Sequence, residues 1–451
     1  MSSKRTQPVS PARRAAFDIL NQIESRRAFA DILIARLPDS DLSREDRALA
    51  QELVLGVLRW QRLLDYFIER YSERSIARLD LPVLIALRVG LYQLRHLSRI
   101  PQSAAVNESV NMVKRARTAS AAPLVNAVLR QAARHLDETA GGELIDPLER
   151  ASVELSHPRW MLDRWQSRFG DDETRQLALA NNSPPATAFR VNTLRTSVKE
   201  VLTDLNNEGV TTRESQIAQG AFVVESGPAS VMTAASRRGV IYVQDEASQL
   251  VSLFLEPESG HRVLDICAAP GSKTSHIAVL AEDKAWIVAC DRHHHRLATL
   301  RAGCERLGIQ SVDALELDAT RALPFVEGGH EFDRILVDAP CSGTGTLRGN
   351  PEIKWRLSTD DLPRLAELQA SLLQGAASSV ASGGRLVYST CSIEREENEE
   401  VVRRFLDATT LFQVIEPNAP AGLITSDGFV RTFPHREGTD GFFAAALQKV
   451  R

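Results

Sequence analysis

Apolar residues recur at the three- and four-residue spacing of a helix through the first 140 residues of the chain. Between Glu45 and Arg70 the pattern is carried by Leu53, Val57, Trp60, Leu64, Phe67 and Ile68, which would share one helix face. Pro82 and Pro123 stand where further helices would begin, because the first helical turn tolerates proline. No alternating pattern typical of a strand interrupts these runs. We therefore predict an all-α bundle over residues 1–140.

The pattern becomes mixed after residues 137–148, a segment with two adjacent glycines and a proline that is typical of a linker. A helical spacing around Trp160 precedes a strand-like run at 188–192. A helical run at 197–205 and a second strand-like run at 221–225 follow. Residues 150–240 are therefore predicted to form a small α+β module.

Short apolar runs alternate with helical patterns in the last part of the chain. We expect strands at 262–267, 285–291, 312–318, 334–338 and 385–388. This alternation predicts a largely parallel sheet flanked by helices, and we assign residues 241–451 to a Rossmann-like α/β domain. Ligands of such sheets bind outside the carboxyl ends of the strands, so candidate chemistry is sought there.

The composition is that of an ordinary globular protein, with 43% hydrophobic and 25% charged residues among 451. No apolar run reaches the ~18 residues that a membrane span requires, so we expect no membrane partner. Five scattered cysteines, an odd number, favour a reducing cytoplasm over a disulfide-bonded scaffold. The formal net charge of −4 at first disfavours an anionic partner.

The charge is unevenly distributed, which changes that conclusion. Residues 1–140 hold 22 basic and 15 acidic side chains, a net of +7, so the remainder carries −11. Within 82–136 Glu108 is the one acid. The basic residues of that stretch are Arg88, Arg95, Arg99, Lys114, Arg115, Arg117, Arg130 and Arg134. This asymmetry fits a nucleic-acid-binding module, although arginine-rich helices can also be simple solvated faces.

The first predicted strand of the α/β domain runs into Cys267-Ala268-Ala269-Pro270-Gly271-Ser272-Lys273. Cys267 and Ser272 stand where a phosphate-binding P-loop requires glycine, and a dinucleotide fingerprint requires three glycines where only Gly271 is present. The small residues leave the backbone open to close approach. The loop therefore suits an adenosine-type ligand without a pyrophosphate, or else is a plain strand-to-helix turn.

Four acids lie at or near successive strand ends: Asp265, Asp291, Asp318 and Asp338. A single aspartate in this position is usually a helix cap, but Asp291 also occupies the place of an acid that binds ribose hydroxyls. Four together suit a ligand with ribose hydroxyls, an exocyclic amine and a positive sulfonium. S-adenosylmethionine has all three features and is the predicted cofactor.

Two of the five cysteines stand out by position. Cys290 and Cys304 fit buried apolar roles, whereas Cys341 and Cys391 each follow a predicted strand in a turn-prone segment. If residues 393–397 begin a helix, Cys391 lies at its N-terminus, where the helix dipole favours a thiolate. The spacing lacks the Cys/His clusters of zinc sites, and the run 293–295 of three histidines is interpreted as solvated surface. No metal is predicted.

A thiolate beside a methyl donor indicates one reaction. Addition of the thiolate to carbon 6 of a cytosine turns carbon 5 into a nucleophile that can accept a methyl group. Asp338 is placed to contact N3 and the exocyclic amine, and as a donor it would have to be protonated by desolvation. The target base would have to be unpaired or flipped out.

These segments resemble the RNA 5-methylcytosine methyltransferases of the Nol/Nop/Sun family. The resemblance rests on residues 267–274, on Asp338-Ala339-Pro340-Cys341-Ser342-Gly343 and on Thr390-Cys391-Ser392. The first module resembles the RNA-binding NusB fold through residues 105–110 and 125–130. A NusB-like bundle joined to such a catalytic domain is similar to the layout of bacterial 16S rRNA methyltransferases.

The resemblance implies a role for each motif residue. Cys391 would be the nucleophile, Cys341 would assist release of the covalent adduct, and Asp338 would complete the catalytic set. The cofactor would be bound by the loop from Cys267 to Lys273 and by Asp291, Asp318 and Asp338. Ser272 departs from the glycine common in the family, and we expect binding to survive the change.

Further residues have two interpretations. The run 190–193 resembles the RNA-facing middle module of the family, and Arg348, Lys354 and Trp355 could contact RNA, although the last two could equally be structural. The predicted substrate is 16S rRNA, naked or in an early small-subunit particle, and the protein is expected to be a monomer. The alternatives are the same chemistry on tRNA or 23S rRNA, or a non-catalytic NusB-like RNA-binding factor.

Overall fold

A computed structural model describes residues 9–26, 28–37, 42–325 and 331–450. The chain divides into two compact units. The helical unit comprises Met1–Pro184 and Leu347–Arg356, and the sheet unit comprises Pro185–Thr346 and Leu357–Arg451. Within the described ranges, no helix combines the length and the hydrophobicity needed to cross a bilayer.

The helices are, in chain order, α1 (Pro11–Arg26), α2 (Ala30–Ala35), α3 (Arg44–Arg59), α4 (Gln61–Ser72), α5 (Leu81–His96), α6 (Gln102–Arg115), α7 (Ala122–Arg134), α8 (Pro147–Glu154), α9 (Arg159–Phe169), α10 (Asp171–Asn181), α11 (Val198–Asn207), α12 (Ala229–Arg237), α13 (Glu246–Phe254), α14 (Ser272–Leu280), α15 (His294–Leu307), α16 (Ile353–Arg356), α17 (Asp361–Ala377) and α18 (Glu399–Asp407). Short 3-10 turns cover Ile76–Arg78, Ala119–Ala121 and Ala421–Leu423.

The strands are β1 (Ala188–Val191), β2 (Thr211–Glu214), β3 (Ala221–Ser226), β4 (Ile241–Val243), β5 (Arg262–Asp265), β6 (Trp286–Asp291), β7 (Val312–Glu316), β8 (Phe332–Asp338), β9 (Val380–Thr390), β10 (Phe412–Ile415), β11 (Val430–Arg431) and β12 (Phe443–Lys449).

The helical unit is built around α5, in which every residue from Val83 to Gln93 is buried. A helix that is buried all round must be packed by neighbours on every side, and α1, α3, α4, α6 and α7 all pack on α5. Gly90 permits one close approach, because a Cβ added there would lie 2.5 Å from a methyl carbon of Leu129 on α7. The predicted all-α bundle is confirmed.

Two of the eight basic residues between 82 and 136 are structural. Arg88 is buried and donates to both carboxylate oxygens of Asp65, at 2.7 and 2.8 Å, and to Glu24. Arg95 stacks over the ring of Phe67 with its guanidinium carbon 4.0 Å from the ring centroid. Arg99, Lys114, Arg115, Arg117, Arg130 and Arg134 are exposed, so the basic surface is smaller than the sequence count suggests.

Ten residues from the C-terminal half of the chain, 347–356, belong to the helical unit. Lys354 is fully buried and donates to the backbone oxygens of Arg59 and Ser156, at 2.8 and 2.9 Å, and to Asn182 Oδ1 at 3.0 Å. The indole nitrogen of Trp355 donates to Leu58 O at 2.7 Å. These contacts favour the structural interpretation of Lys354 and Trp355, and a buried Lys354 cannot contact RNA.

The first sheet of the sheet unit is antiparallel, with strand order β2-β3-β1-β4. The element order β1-α11-β2-β3-α12-β4 is that of a ferredoxin-like fold. Phe189 and Phe222 stack between neighbouring strands in the core of this module. The predicted α+β module is therefore present.

The two compact units group the elements differently from the three predicted domains 1–140, 150–240 and 241–451, which stay a prediction. Helices α8–α10, which we had placed in the middle module, belong to the helical unit, and the ferredoxin-like strands and residues 241–346 share one compact unit. The reason is packing: Val153 of α8 is buried in the core of the helical bundle, and a linker-like composition does not show on which side a following helix packs.

The second sheet has the order β10-β12-β9-β8-β5-β6-β7, with β11 added to β12. The five strands from β9 to β7 are parallel neighbours, and β12 runs antiparallel to β9. The chain order reverses at β5, which lies between β6 and β8. Such a reversal opens a crevice at the carboxyl ends of the strands. The predicted Rossmann-like domain is confirmed, with β9 longer than the expected 385–388.

Candidate active site

The loop after β5 enters α14 through Gly271. Gly271 has φ 102°, and a Cβ there would lie 2.9 Å from Leu300 Cγ, so glycine is required both by the left-handed backbone and by packing on α15. Ala268 and Ala269 are buried. The loop is therefore compact, and its small side chains serve packing as well as any approach of a ligand.

Asp265, at the end of β5, is buried, and its two carboxyl oxygens differ in their hydrogen bonding. Its Oδ2 accepts a hydrogen bond of 2.7 Å from Thr274, whereas its buried Oδ1 has no hydrogen-bond partner within the described part of the chain. Burial raises the pKa of Asp265 to about 7, and the nearby charge of Asp338 adds to the rise. An orphaned carboxyl oxygen at the sheet crevice fits a ligand that donates a hydrogen bond.

The next two acids differ from each other. Asp291, at the end of β6, is buried, accepts from His293 N at 2.8 Å and pairs with Arg296 at 3.1 Å. Asp318 lies two residues beyond β7, is partly exposed, and caps its own turn through Thr320. Asp291 has the fixed position that a ribose-binding acid requires. Asp318 remains a prediction supported by its place in the chain.

Lys273 on α14 connects the cofactor loop to Asp338 at the end of β8. The ammonium group is buried and lies 2.7 Å from Asp338 Oδ2, while Ser389 donates to Asp338 Oδ1 at 2.7 Å. Burial would lower the pKa of Lys273, but the Asp338 carboxylate outweighs it, with smaller contributions from Cys391 and Asp265, so the pKa is raised. Each Asp338 oxygen therefore accepts a hydrogen bond from a neighbouring side chain.

Cys341 and Cys391 meet although 50 residues separate them in the chain, and their sulfurs lie 3.1 Å apart. Neighbouring parallel strands cause this meeting, because β8 and β9 pair in register from Ile335–Leu386 to Asp338–Ser389 and each cysteine follows its strand. The hydrogen bond to Cys391, together with burial, raises the pKa of the Cys341 thiol.

One part of the cysteine prediction is wrong. Helix α18 begins at Glu399, eight residues after Cys391, so no helix N-terminus supports the Cys391 thiolate. Residues 396–398 form a turn, and the Glu397 side chain in it contacts both cysteine loops. The nearby positive group is instead Lys273, whose pKa is itself influenced by Cys391.

The other three cysteines, Cys267, Cys290 and Cys304, are described by burial rather than by a paired sulfur. Burial raises the pKa of Cys290 to about 12 and that of Cys304 to about 11, and it raises the pKa of Cys267 strongly. In the described ranges, no group of three or more His, Cys, Asp or Glu side chains is arranged to hold a metal ion.

Two polar side chains of the run 190–193, which resembles the RNA-facing module of the family, are buried inside the sheet unit. Arg190 is buried, donates to Gln244 at 3.0 Å and to Ser275 at 2.8 Å, and burial lowers its pKa to about 9. Asn192 is buried and donates to the backbone oxygens of Gly239 and Leu307. These residues hold the ferredoxin-like module against α14 and α15.

Sequence reasoning missed two groups at the site. Lys273 was predicted to bind the cofactor, and its position as the second residue of α14, in contact with Asp338, was not recognised. Glu397, which contacts both cysteine loops, was interpreted as part of a helix. The signal that could have found it is the acidic cluster directly after Thr390-Cys391-Ser392, in a segment where a buried acid needs several donors.

Three family descriptions match consecutive parts of the chain. The NusB family matches residues 10–134, the ferredoxin-like domain of RsmF/B-like methyltransferases matches residues 157–231, and the 16S rRNA methyltransferase RsmB/F family matches residues 252–448. The fold and the paired-cysteine site therefore define a methyltransferase with an added NusB-like bundle.

Relatives match over nearly the whole chain. The chain is 37% identical over 449 residues to the probable ribosomal RNA small subunit methyltransferase B of Synechocystis, covering 97% of this chain and 99% of the relative. It is 34% identical over 443 residues to the protein of that description from Bacillus subtilis, covering 97% and 98%. The chain belongs to the RsmB/F family of 16S rRNA methyltransferases.

Solved structures agree with this assignment. The crystal structure of PH0851 superimposes with a TM-score of 0.83 at 29% identity and covers 99% of this chain and 100% of that one. A methyltransferase homolog from Pyrococcus horikoshii gives a TM-score of 0.60 at 31% identity, covering 68% and 100%. Family membership confirms the resemblance we inferred, and with it S-adenosylmethionine as the methyl donor.

Proposed function

We propose that this protein transfers a methyl group to carbon 5 of a cytidine in 16S rRNA through a covalent adduct with Cys391. The observation that carries the proposal is the pair of sulfurs 3.1 Å apart beside the Lys273–Asp338 ion pair, at the carboxyl ends of two neighbouring strands. A nucleophile next to a fixed pair of opposite charges is the arrangement that covalent catalysis on a heterocyclic base requires.

The reaction begins with the Cys391 thiolate. Its sulfur bonds to carbon 6 of the cytosine, and the electrons of the 5,6 double bond move to carbon 5. When bound, S-adenosylmethionine supplies an electrophilic methyl group on a positively charged sulfur. Carbon 5 would bond to that methyl group as the methyl–sulfonium bond breaks and its electron pair stays on sulfur, and carbon 5 would then lose its proton to a base. The released electron pair restores the double bond and breaks the bond between Cys391 and carbon 6.

Asp338 and Lys273 orient and stabilise the base in this scheme. The Asp338 carboxylate, held by Lys273 and Ser389, is suited to accept a hydrogen bond from the exocyclic amine. The Lys273 ammonium places positive charge where the ring becomes electron-rich, and a preorganised charge in a desolvated site is effective because no solvent has to reorganise. Cys341, the protonated thiol, is the group we propose to assist departure of Cys391.

The cofactor would lie against residues 267–273, with Asp291 facing the ribose hydroxyls. The fit rests on the compact loop, on the buried Asp291 and on the unpartnered Asp265 Oδ1. Asp318 would add an acceptor from the partly exposed side. These carboxylates also suit the positive sulfonium.

Single cysteine variants test the proposal. With S-adenosylmethionine and a 16S rRNA transcript, Cys391→Ala should abolish both methylation and any denaturant-resistant protein–RNA band. Cys341→Ala should instead accumulate that band, because attack proceeds while release fails. Cys304→Ala, a core thiol away from the strand ends, is the matched control and should do neither.

The outcomes separate the alternatives. A covalent band that persists in Cys391→Ala would place the nucleophile elsewhere, and a Cys341→Ala protein that turns over normally would remove the release role. Methylation of tRNA or 23S rRNA transcripts in preference to 16S rRNA would move the substrate but keep the chemistry. RNA binding with no methylation of any transcript would favour a non-catalytic RNA-binding factor.

A further inference from the structure

The residue that follows each active-site cysteine contacts the same carboxylate. Ser342 follows Cys341, Ser392 follows Cys391, and both hydroxyls donate to Glu397 Oε2. The two serine oxygens lie 3.0 Å from each other. One side chain therefore reaches both loops at the position adjacent to the sulfur-bearing residue.

Glu397 is built into the protein rather than offered to a ligand. It is completely buried, and besides the two hydroxyls its Oε1 accepts from the Ser342 backbone N–H at 2.8 Å and from Gln369 at 2.9 Å. Burial raises the pKa of Glu397, and the hydrogen bonds from Ser342, Ser392 and Gln369 act against that rise. Four donors aimed at two oxygens suit an acceptor-only carboxylate.

Gln369 on α17 extends the clamp to the residue before Cys341. Its amide nitrogen lies 3.0 Å from Pro340 O as well as 2.9 Å from Glu397 Oε1. The Cys341 loop is thus fixed on both sides of the cysteine, at Pro340 and at Ser342. The side chain of Gln369 is itself buried, so packing restricts its conformation.

The loop that carries Cys391 is fixed by Asn398, the residue that follows Glu397 in the chain. Asn398 accepts from the Thr390 hydroxyl at 2.5 Å and donates to Ser392 O at 2.8 Å. The backbone of Glu397 is anchored as well, since Tyr388 of β9 donates to Glu397 O at 2.5 Å. The carboxylate therefore extends from a backbone that is tied to the strand leading to Cys391.

We propose that Glu397 is a positioning residue that sets the separation and orientation of the Cys341 and Cys391 sulfurs. The reasoning is geometric: it is bonded to both loops one residue away from each sulfur, and a buried carboxylate with charge-assisted hydrogen bonds is stronger and more directional than a neutral link. The catalytic consequence rests on the proposed function, in which attack by one sulfur and release assisted by the other must occur on one base.

The first measurement reads the sulfur geometry directly and does not depend on methyl transfer. Dibromobimane becomes fluorescent when it bridges two nearby thiols, and Cys341→Ala supplies the baseline without bridging. Glu397→Gln keeps the size of the side chain but replaces one acceptor oxygen by an NH2 group. We expect the rate of thiol bridging in this variant to fall by a factor of about ten. Glu400→Gln, the same change on an exposed neighbour, should bridge at the rate of the unchanged protein.

The second measurement separates positioning from loss of structure. Glu397→Gln should lower kcat for 16S rRNA by about 10- to 100-fold, the range for losing a hydrogen bond to a charged group. The Kd of S-adenosylmethionine, measured by calorimetry, should stay within about twofold, because Glu397 contacts the cysteine loops and not the cofactor loop. The fraction of protein in the covalent band should also change, since attack and release depend on different sulfurs.

If Glu397→Gln does not fold, two milder single substitutions, each removing one hydrogen bond to Glu397, keep the test decisive. Ser342→Ala and Ser392→Ala each remove one hydroxyl from Glu397 and leave the carboxylate in place, so each should slow bridging by a smaller factor. Unchanged bridging in the folded variants would overturn the positioning role, whether or not the protein methylates RNA. Slowed bridging in a protein that methylates no RNA would uphold the role of Glu397 while removing the proposed function.

Discussion

Two buried lysines, one in each unit, have opposite electrostatic surroundings. Lys273 in the sheet unit is paired with the Asp338 carboxylate at 2.7 Å, and its pKa is raised despite burial. Lys354 in the helical unit is bonded to two backbone oxygens and one amide oxygen, and burial lowers its pKa well below the ordinary value of 10.5, with the charge of Arg59 acting in the same direction.

The comparison shows that burial alone does not decide whether a lysine is charged. Three neutral acceptors satisfy the hydrogen bonds of Lys354 but do not compensate its charge, whereas one carboxylate compensates that of Lys273. A charged pair next to two thiols is suited to chemistry, and a lysine surrounded by carbonyl groups is suited to joining segments. We therefore propose that Lys273 acts in the reaction and that Lys354 stabilises the helical unit.

The largest effect is expected for Lys273→Met. This change leaves Asp338 without its cation and removes positive charge beside the reacting base, so kcat should fall by about 10²- to 10³-fold, as for loss of one preorganised donor. Methyl transfer from labelled S-adenosylmethionine to a 16S rRNA transcript measures the change. Lys284→Met, which removes an exposed lysine paired with Glu282, is the matched control.

The comparison would break if Lys273→Met kept its activity. In that case the Lys273–Asp338 pair would be a structural contact like those of Lys354, and the reaction would need another source of charge stabilisation. Circular dichroism on both variants checks that an activity loss does not come from unfolding, since breaking a buried pair can itself cost about 3–5 kcal/mol.

An intermediate effect, on stability and not on chemistry, is expected for Lys354→Met. Three acceptors lose their donor, while the cost of a desolvated amine disappears, so the free energy of unfolding should fall by about 2–3 kcal/mol. Urea unfolding followed by tryptophan fluorescence reports mainly on the helical unit, which contains Trp60, Trp160, Trp165 and Trp355.

The pH dependence of that loss distinguishes the two lysines. Because the pKa of Lys354 is lowered in the folded state, the unfolded chain binds more protons below the ordinary pKa, and stability should rise as the pH increases toward 10.5. The slope from one group is at most about 1.4 kcal/mol per pH unit. This rise should be smaller in Lys354→Met and unchanged in Lys114→Met, and equal slopes in all three proteins would refute the lowered pKa of Lys354.

Local sequence patterns predicted the architecture because each element carries its own signal. The strand ends at Asp265, Asp291 and Asp338 are located where the apolar runs stop. The meeting of Cys341 with Cys391 follows from parallel pairing of β8 and β9, but pairing depends on strand order, which period-two and helical patterns do not encode. The family resemblance, and not spacing, assigned different roles to the two cysteines.

The failures share one physical cause, which is that side-chain burial is decided by distant segments. Arg190 lies in a run that resembles an RNA-facing module, yet its side chain is buried against Gln244 and Ser275. Lys354 follows Pro351 by three positions in sequence, yet its partners lie about 170 to 300 positions earlier. No window of the sequence contains both members of such contacts, so a basic residue could not be classed as surface or core.

The smallest effect concerns a third class of cations, the exposed basic side chains between residues 82 and 136 of the helical unit. Deleting residues 1–140 would test them poorly, because it also removes Arg59 and Leu58, whose backbone oxygens hold Lys354 and Trp355. Lys114→Ala and Arg134→Ala avoid this problem, since both side chains are exposed.

If each of these two side chains neutralises one phosphate, each variant should reduce the slope of log K against log salt by about 0.9 for duplex and about 0.7 for single-stranded RNA. The slopes are measured by RNA-binding titrations between 50 and 200 mM salt, about the range where such contacts dominate. Arg44→Ala on α3 is the control and should leave the slope unchanged. Unchanged slopes for Lys114→Ala and Arg134→Ala would assign RNA binding to another surface.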